Sequence, residues 1–252
     1  MNNKTIEEQL FEPVPTEIMP EEAYECFKTL PATCESLSRM TNQSVYVIDY
    51  SKRAFFFVSS HPLFLCGYTP QEVKEMGYAF YKKVISPEDL QMLSEINEFG
   101  WALFDKVPPS EIPNVCFSYD FYLHHKNGSK ILVNQKLVPT FVAENNTMWM
   151  ALCTVSLSPR KSSGNVVFTL NNRSQYYSYD FDQKKIIEHK PPQLTKREEE
   201  VLALLMRGLT AKETAYTLCI TADTVQNHRK SIIRAFGADS GTNAASLFFS
   251  RF

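Results

Sequence analysis

The sequence predicts an α+β protein in two parts: an N-terminal antiparallel sheet with short helices, and a C-terminal all-α region of four short helices. Apolar side chains alternate over residues 115–123, which is typical of a strand with one buried face. Asn127-Gly128 follows and predicts a hairpin through a type I′ turn, in which both residues have positive φ. Beyond Pro191-Pro192 the hydrophobic period becomes helical. Because tandem prolines extend neither a helix nor a central strand, they mark the boundary.

Composition is that of a globular protein, with 252 residues, 44% hydrophobic and 21% charged. Residues 191–252 carry eight Lys or Arg against six Asp or Glu, whereas residues 1–190 carry eighteen against twenty-two. The six cysteines are scattered without a CxxC pair, which favours free thiols in a reducing compartment. No secretory signal or apolar run of about 18 residues occurs, so we expect a cytoplasmic protein without a membrane span.

The N-terminal part is predicted to begin with a helical lead-in over residues 1–40, in which Pro20 starts the helix "PEEAYECFKTL". Residues 41–158 then form the main domain. Its first two strands are "SVYVIDY" and "RAFFFVSS", rich in β-branched and aromatic residues. Two helices follow at "TPQEVKEM" and "SPEDLQMLSEINEF", each with a Thr or Ser cap before a proline.

Three strands in sequence complete the predicted meander: "NVCFSYDFYLHH", "SKILVNQKLVPTFV" and "TMWMALCTVSL". Residues 159–191 are interpreted as a β-rich connector, since "NVVFTLNN" has strand character and "SQYYSYDFDQKKIIEHK" has less of it. Residues 192–252 are interpreted as a separate domain.

The C-terminal helices are predicted from threonine caps. Two of the caps precede a glutamate by three residues and form capping boxes. The predicted N-caps are Thr195, Thr210, Thr221 and Thr242. Only Cys219 and Ile220 join the second helix to the third, a spacing that fits a helix-turn-helix, whose second helix enters the major groove of DNA.

The third helix has one apolar side, where Val225, Ile232 and Phe236 are expected to point inward. Its other side is polar. Basic residues on a helix are often no more than a solvated surface, but amides and ammonium groups suit base edges in the major groove. The residues predicted to read bases are Gln226, Asn227 and Lys230. Those predicted to contact phosphates are Thr221, Thr224, Arg229 and Arg234.

The segment "LTKREEEVLALLMRGLTAKETAYTLCITADTVQNHRKSIIRAFG" resembles the LuxR-type (FixJ/NarL-type) DNA-binding domain. The matching elements are Leu194-Thr195, Arg197-Glu198, Glu200-Val201-Leu202, Gly208-Leu209-Thr210, Lys212-Glu213, Ala215, Ile220, Thr224-Val225, Asn227-His228, Ile232, Gly237, Thr242 and Ala244. The resemblance implies a four-helix domain that binds double-stranded DNA as a homodimer. The chain departs from the family by lacking cations at Gln226, Ala235 and Gly241, and by having Thr214 at an aliphatic position. These departures imply weaker DNA binding.

The segment "VIDYSKRAFFFVSSHPLFLCGYTPQEVKEMGYAFYKKVISPEDL" resembles the PAS signature. The resemblance implies an apolar cleft between sheet and helices that accepts a small molecule. The aromatic and apolar residues expected to line it are Phe56, Phe117, Tyr119, Phe121 and Met150. No cofactor is predicted, because Cys66 lacks the sequence context of a flavin photosensor. No metal site is predicted, because the adjacent His124 and His125 would face opposite ways on a strand.

The function predicted from these features is a bacterial transcriptional regulator, with a PAS-like sensor controlling a helix-turn-helix that binds specific DNA. The alternative is an interaction protein whose helical domain has lost DNA binding and serves dimerisation or partner binding, which the missing cations favour. An enzyme is not expected, since the sequence has no nucleophile–base spacing, metal triad or phosphate-binding glycine loop.

Overall fold

A computed structural model describes residues 19–143, 147–170, 176–190, 192–241, 243–245 and 248. The chain divides into two compact units, Met1–His189 and Lys190–Phe252. The predictions for residues 1–18 and for the Thr242 cap lie outside the described residues.

The N-terminal unit contains one antiparallel sheet with the strand order β2-β1-β5-β4-β3-β6-β7-β8. The strands are β1 Ser44–Asp49, β2 Ala54–Val58, β3 Val115–His124, β4 Lys130–Val142, β5 Met148–Leu157, β6 Gly164–Leu170, β7 Tyr176–Asp180 and β8 Lys185–His189. The α-helices are α1 Leu30–Thr41, α2 Pro62–Leu65, α3 Pro70–Met76, α4 Ala79–Val84 and α5 Pro87–Phe104. Two 3-10 helices span Glu21–Phe27 and Pro109–Asn114.

The first five strands lie in the order β2-β1-β5-β4-β3, with α2 to α5 inserted between β2 and β3. This arrangement is that of a PAS fold, so the predicted fold class is confirmed. The interpretation of residues 159–191 as a connector is corrected. β6 pairs with β3, and β7 and β8 follow it, so this segment extends the sheet by three strands.

The β3–β4 hairpin forms as predicted, but its turn differs. The connection spans residues 125–129, and within it only Gly128 has positive φ, at 84°. The Gly128 N–H donates to the His125 carbonyl at 2.9 Å, and the Asn127 side chain accepts from the Ser129 N–H at 3.0 Å. Asn127 therefore stabilises the turn through its side chain and not through a left-handed backbone, which corrects the type I′ prediction.

Hydrophobic side chains pack on both faces of the sheet. One face meets α2 to α5 through a large core that includes Phe64, Phe80 and Phe121. The other face is covered by the N-terminal helices, where Phe27 packs with Trp149 and Met150. The sheet therefore separates two cores, and the phase of each strand decides which of them a residue enters.

The C-terminal unit contains α6 Lys196–Met206, α7 Ala211–Leu218 and α8 Ala222–Phe236. Residues 241, 243–245 and 248 are also helical. Both predicted capping boxes are present, at Thr195 with Glu198 and at Thr210 with Glu213. The shared core consists of Val201, Leu202, Ala215, Val225, Ile232, Phe236, Ala244 and Ala245. Across the part of the chain that the structure describes, every helix is too short or too polar to cross a lipid bilayer.

Candidate nucleic-acid interface and sensor cleft

The turn between α7 and α8 is fixed by backbone geometry. Cys219 ends α7 with a left-handed φ of 52°, and the Ile220 N–H donates to the Ala215 carbonyl at 3.0 Å. Thr221 then caps α8, accepting a hydrogen bond from the Thr224 N–H at 3.1 Å. Because the cap fixes the first turn of α8, it sets the direction in which the helix presents its side chains.

The α8 helix buries one side and exposes the other. Its inward residues are Val225, Ile232 and Phe236, all with at most 3% of their surface exposed. The outward residues, each exposed, are Gln226, Asn227, Lys230 and Arg234. Neither a hydrogen bond nor an ion pair holds any of these four side chains within the described residues. The face predicted to read bases is therefore accessible and uncommitted.

Asp223 lies on the same exposed face and is absent from the sequence-based prediction. It precedes Gln226 by three residues and Lys230 by seven, a spacing that could have revealed it. Its carboxylate lowers the positive charge of the face and belongs to the first turn of α8, where the helix dipole stabilises an anion.

Arg229, predicted to contact phosphate, is half-buried and bonded within the domain. One Arg229 nitrogen, Nη2, donates to the Leu209 carbonyl at 3.0 Å, and its Nε is buried without a partner among the described residues. Successive helical residues are rotated by about 100°, so Arg229 lies at the edge of the buried side, beside Val225 and Ile232. Arg229 therefore holds the loop between α6 and α7, and its predicted contact with phosphate remains a prediction.

The threonines at the start of α8 bond to each other. The Thr221 and Thr224 hydroxyls lie 2.8 Å apart, and Thr221 also serves as the cap. Thr221 is exposed and Thr224 half-buried. Their predicted contacts with phosphate remain predictions.

The first capping box also connects two helices. A hydrogen bond from the Ser231 side chain on α8, followed by bonds from Thr195, lowers the pKa of the Glu198 carboxyl on α6. Glu198 is buried, with 9% of its surface exposed. The Glu198 carboxylate therefore stabilises both the first turn of α6 and the contact between α6 and α8.

The sensor cleft consists of two adjoining cavities, of about 50 Å³ and about 30 Å³, between the sheet and α5. Both are lined by Tyr50, Asn97, Tyr119 and Leu137. In the described part of the chain, no charged side chain lines either cavity. A volume of this size holds a few water molecules or a small organic group.

Of the five residues predicted to line the cleft, Phe117 and Tyr119 do so. The other three are corrected. Phe56 and Met150 pack on the opposite face of the sheet, beneath the N-terminal helices, because side chains alternate along β2 and β5. Phe121 lies on the cleft side but is buried in the core away from both cavities.

A hydrogen-bonded network borders the larger cavity. The Tyr46 hydroxyl donates to Gln135 Oε1 at 2.6 Å and lies 3.0 Å from the Tyr81 hydroxyl, while Gln135 Nε2 donates to the Tyr119 hydroxyl. Burial raises the pKa of Tyr46, Tyr81 and Tyr119 well above the ordinary tyrosine value. The phenols therefore stay neutral at physiological pH. No group of three or more metal-ligating side chains occurs among the residues that the structure describes.

The family model GerE, described as bacterial regulatory proteins of the luxR family, matches residues 192–248. These residues form a LuxR-type domain. The match covers the two capping boxes, the turn at Cys219 and the whole of α8, so the exposed face described above belongs to the second helix of a LuxR-type helix-turn-helix. A search of curated proteins finds no match to the chain.

Solved structures that align with this chain include two structures of VqmA. The VqmA dimer of Vibrio cholerae in the absence of target DNA is 15% identical over 92% of this chain and 88% of that chain, with a TM-score of 0.32. The phage VqmA-DPO complex is 15% identical over 92% of this chain and 90% of that chain, with a TM-score of 0.30. The N-terminal domain of a Marinobacter aquaeolei diguanylate cyclase with a PAS/PAC sensor is 12% identical over 46% and 94%, with a TM-score of 0.35. At such low identities and scores these likenesses carry no argument about function.

Proposed function

We propose that this protein is a bacterial transcriptional regulator that binds specific double-stranded DNA as a homodimer through α8, under the control of the PAS-like unit. The observation that carries the proposal is the exposed polar face of α8, with Gln226, Asn227 and Lys230 uncommitted, on the second helix of a LuxR-type domain. Such a regulator acts in the cytoplasm, where the DNA is.

The two kinds of contact on α8 have different roles. Gln226 and Asn227 lie toward the N-terminal half, the end that usually reaches base edges, and their amides can donate to and accept from a base. Lys230 donates to guanine acceptors. Arg234 and the two threonines at the N-terminus of the helix contact phosphates, which position the domain and make binding dependent on salt.

The sensor cleft is assigned to a small uncharged molecule with hydrogen-bonding groups. The support is the character of the lining: among the described residues it consists of neutral phenols, amides and apolar side chains, with no charge to pair with an ionised ligand. A charged ligand would lose its hydration there without compensation. The phenols of Tyr50, Tyr78 and Tyr119 offer donors, and Asn97 and Gln135 offer both donors and acceptors.

A path from the cleft toward the C-terminal unit passes through α5. One side of α5 lines the cavities with Leu93 and Asn97. Another side of α5 contacts β7. The ring of Tyr179 on β7 stacks on Phe99 of α5, with ring centroids 4.6 Å apart, and the Tyr179 hydroxyl donates to Glu95 of α5 at 2.8 Å. Since β7 leads into β8 and then directly to residue 190, a ligand that displaces α5 also displaces the chain that enters the DNA-binding unit.

The test is a DNA titration with duplexes selected from genomic fragments by the wild-type protein. Lys230→Ala is expected to weaken binding to the selected site by about 1–3 kcal/mol and to relax its sequence preference. Lys74→Ala, which removes an exposed lysine from α3 of the sensor unit, is the charge-matched control and should bind like the wild type.

Two outcomes would contradict the proposal. One is a wild-type protein that binds no duplex even at low salt, which would favour the partner-binding alternative. The other is an equal loss of DNA affinity in both lysine variants, which would mean that α8 contributes only through net charge.

Native mass spectrometry of the purified protein tests the cleft, where a bound neutral small molecule is expected.

A further inference from the structure

The last strand of the sheet has a free edge. β8 pairs with β7 along one side, and no strand among the described residues pairs with its other side. Its two isoleucines are unusually exposed, with Ile186 at 44% and Ile187 at 41%. An exposed strand edge with apolar side chains is a template for pairing with another strand.

The strand carries a charge pattern that complements itself. Ile186 and Glu188 are two residues apart in β8 and share a face, and Lys184, the last turn residue before β8, precedes them with a left-handed φ of 50°. Along the chain these three residues form a row that runs positive, apolar, negative. Neither Lys184 nor Glu188 has an ion-pair partner within the described ranges. Lysines often protect an edge from pairing, but a lysine matched by a glutamate at the other end of the row instead favours one antiparallel register.

We propose that β8 pairs with β8 of a second copy of this chain, antiparallel and about a twofold axis at Ile186. Residues opposite each other in an antiparallel pair lie on the same face, so a symmetric pairing must centre on a single residue. Centring on Ile186 places the two Ile186 side chains together. It also sets the position of Lys184, at the end of the turn, opposite Glu188 of the second copy, within reach of the long lysine side chain. Centring on Ile187 would instead set Lys185 against His189, without an opposite charge. This inference identifies the surface of the homodimer in the proposed function and rests on it.

The predicted interface is small. One strand pair with two isoleucines and two ion pairs buries less surface than a permanent dimer does, so dimerisation should depend on protein concentration. It should also weaken as salt rises, because the ion pairs are exposed.

Charge reversal tests the register. Lys184→Glu and Glu188→Lys each place like charges opposite each other at both symmetric positions, so each should weaken dimerisation by about three- to tenfold in sedimentation. The double variant restores opposite charges and should return to within about twofold of the wild type. Lys185→Glu is the control, since it makes the same charge change on the other face of the strand.

Cysteine cross-linking tests the twofold axis. In a Cys26→Ser, Cys219→Ser background, which lacks the two exposed thiols, Ile186→Cys should form a disulfide-linked dimer on mild oxidation. Ile187→Cys is the matched control and should remain uncross-linked. In this register residue 187 lies opposite residue 185 of the second copy, two residues along the strand from the second copy's own residue 187. Circular dichroism confirms that each variant is folded.

Several results would overturn the pairing: cross-linking of both cysteine variants or of neither, a double charge variant as weak as the singles, or a wild-type monomer at the highest soluble concentration. None of these assays contains DNA. Loss of β8 pairing with intact DNA binding would therefore reject this surface alone, whereas dimers that bind no duplex would reject the DNA-binding function alone.

Discussion

Polar side chains serve opposite purposes in the two units of this protein. Around the sensor cleft, Tyr46, Gln135 and Tyr119 are buried and bonded to one another. On α8, Asn227 and Lys230 are exposed and bonded to no described residue. Buried polar groups must be paired because desolvation is costly, so the first set fixes a shape. The second set stays hydrated and can replace its bonds to water with hydrogen bonds to base edges.

The same contrast exists within one helix. Arg229 and Arg234 are five residues apart on α8, yet Arg229 donates to the Leu209 carbonyl while Arg234 is exposed. The difference follows from helical phase and not from chemistry, because the two side chains are identical. A basic residue in a DNA-binding helix is therefore a candidate contact only when its phase faces away from the core.

The largest effect is expected from breaking the buried network. Gln135→Ala leaves the Tyr119 hydroxyl and one bond of the Tyr46 hydroxyl unsatisfied, and creates a cavity. The free energy of unfolding of the N-terminal unit should fall by about 2–4 kcal/mol, measured by denaturant titration. Gln71→Ala, on the exposed side of α3, is the control and should change it little. Equal stability of the two variants would mean that the network contributes nothing.

The two arginines of α8 should separate stability from DNA binding. Arg229→Ala removes a half-buried hydrogen bond and the packing of its stem, so we expect a loss of about 1–2 kcal/mol in unfolding free energy. Arg234→Ala should leave stability within about 0.5 kcal/mol and reduce the salt dependence of DNA binding by about one unit of slope. If Arg229→Ala instead reduced the salt dependence and Arg234→Ala reduced stability, Arg229 would be the residue that contacts DNA. That result would contradict the orientation assigned to the two side chains.

Sequence patterns predicted the elements of this fold more fully than its cleft. The capping boxes at Thr195 and Thr210 predicted two helices, because a cap is a local interaction between residues three apart. The alternating pattern predicted β3 in the same way. The pairing of β6 with β3 was beyond reach, since it joins residues about fifty positions apart and depends on which sheet edge is open.

The cleft residues were missed for a related reason. Strand alternation divides β2 and β5 into two faces, but both faces of this sheet are buried, so hydrophobicity alone cannot tell which face meets the cavity. Phe56 and Met150 were assigned to the wrong side for this reason. Gln135 and Asn97, the polar residues that give the cleft its character, occur in strand and helix segments where the sequence shows nothing unusual.

A smaller effect, opposite in sign, is expected at Thr214. Its hydroxyl is fully buried and has no hydrogen-bond partner in the described residues. Thr214→Val keeps the shape and removes the unsatisfied group, so unfolding free energy should rise by about 1 kcal/mol. Thr217→Val on the same helix is the control: that exposed hydroxyl donates to the Glu213 carbonyl at 2.8 Å, so its loss should bring no gain.

The smallest effect is a dependence on pH at Glu198. Hydrogen bonds from Ser231 and Thr195 lower its pKa below the usual 4.5, so the folded state holds the proton less tightly than the unfolded state does. The resulting stability is fully present above about pH 5 and is lost as pH falls through the lowered pKa. Glu198→Gln should flatten this acid limb for the C-terminal unit. Glu199→Gln, in the same turn but with no described hydrogen bond from its carboxylate to Thr195, should retain the limb. An unchanged limb in Glu198→Gln would show that the carboxylate does not link α6 to α8.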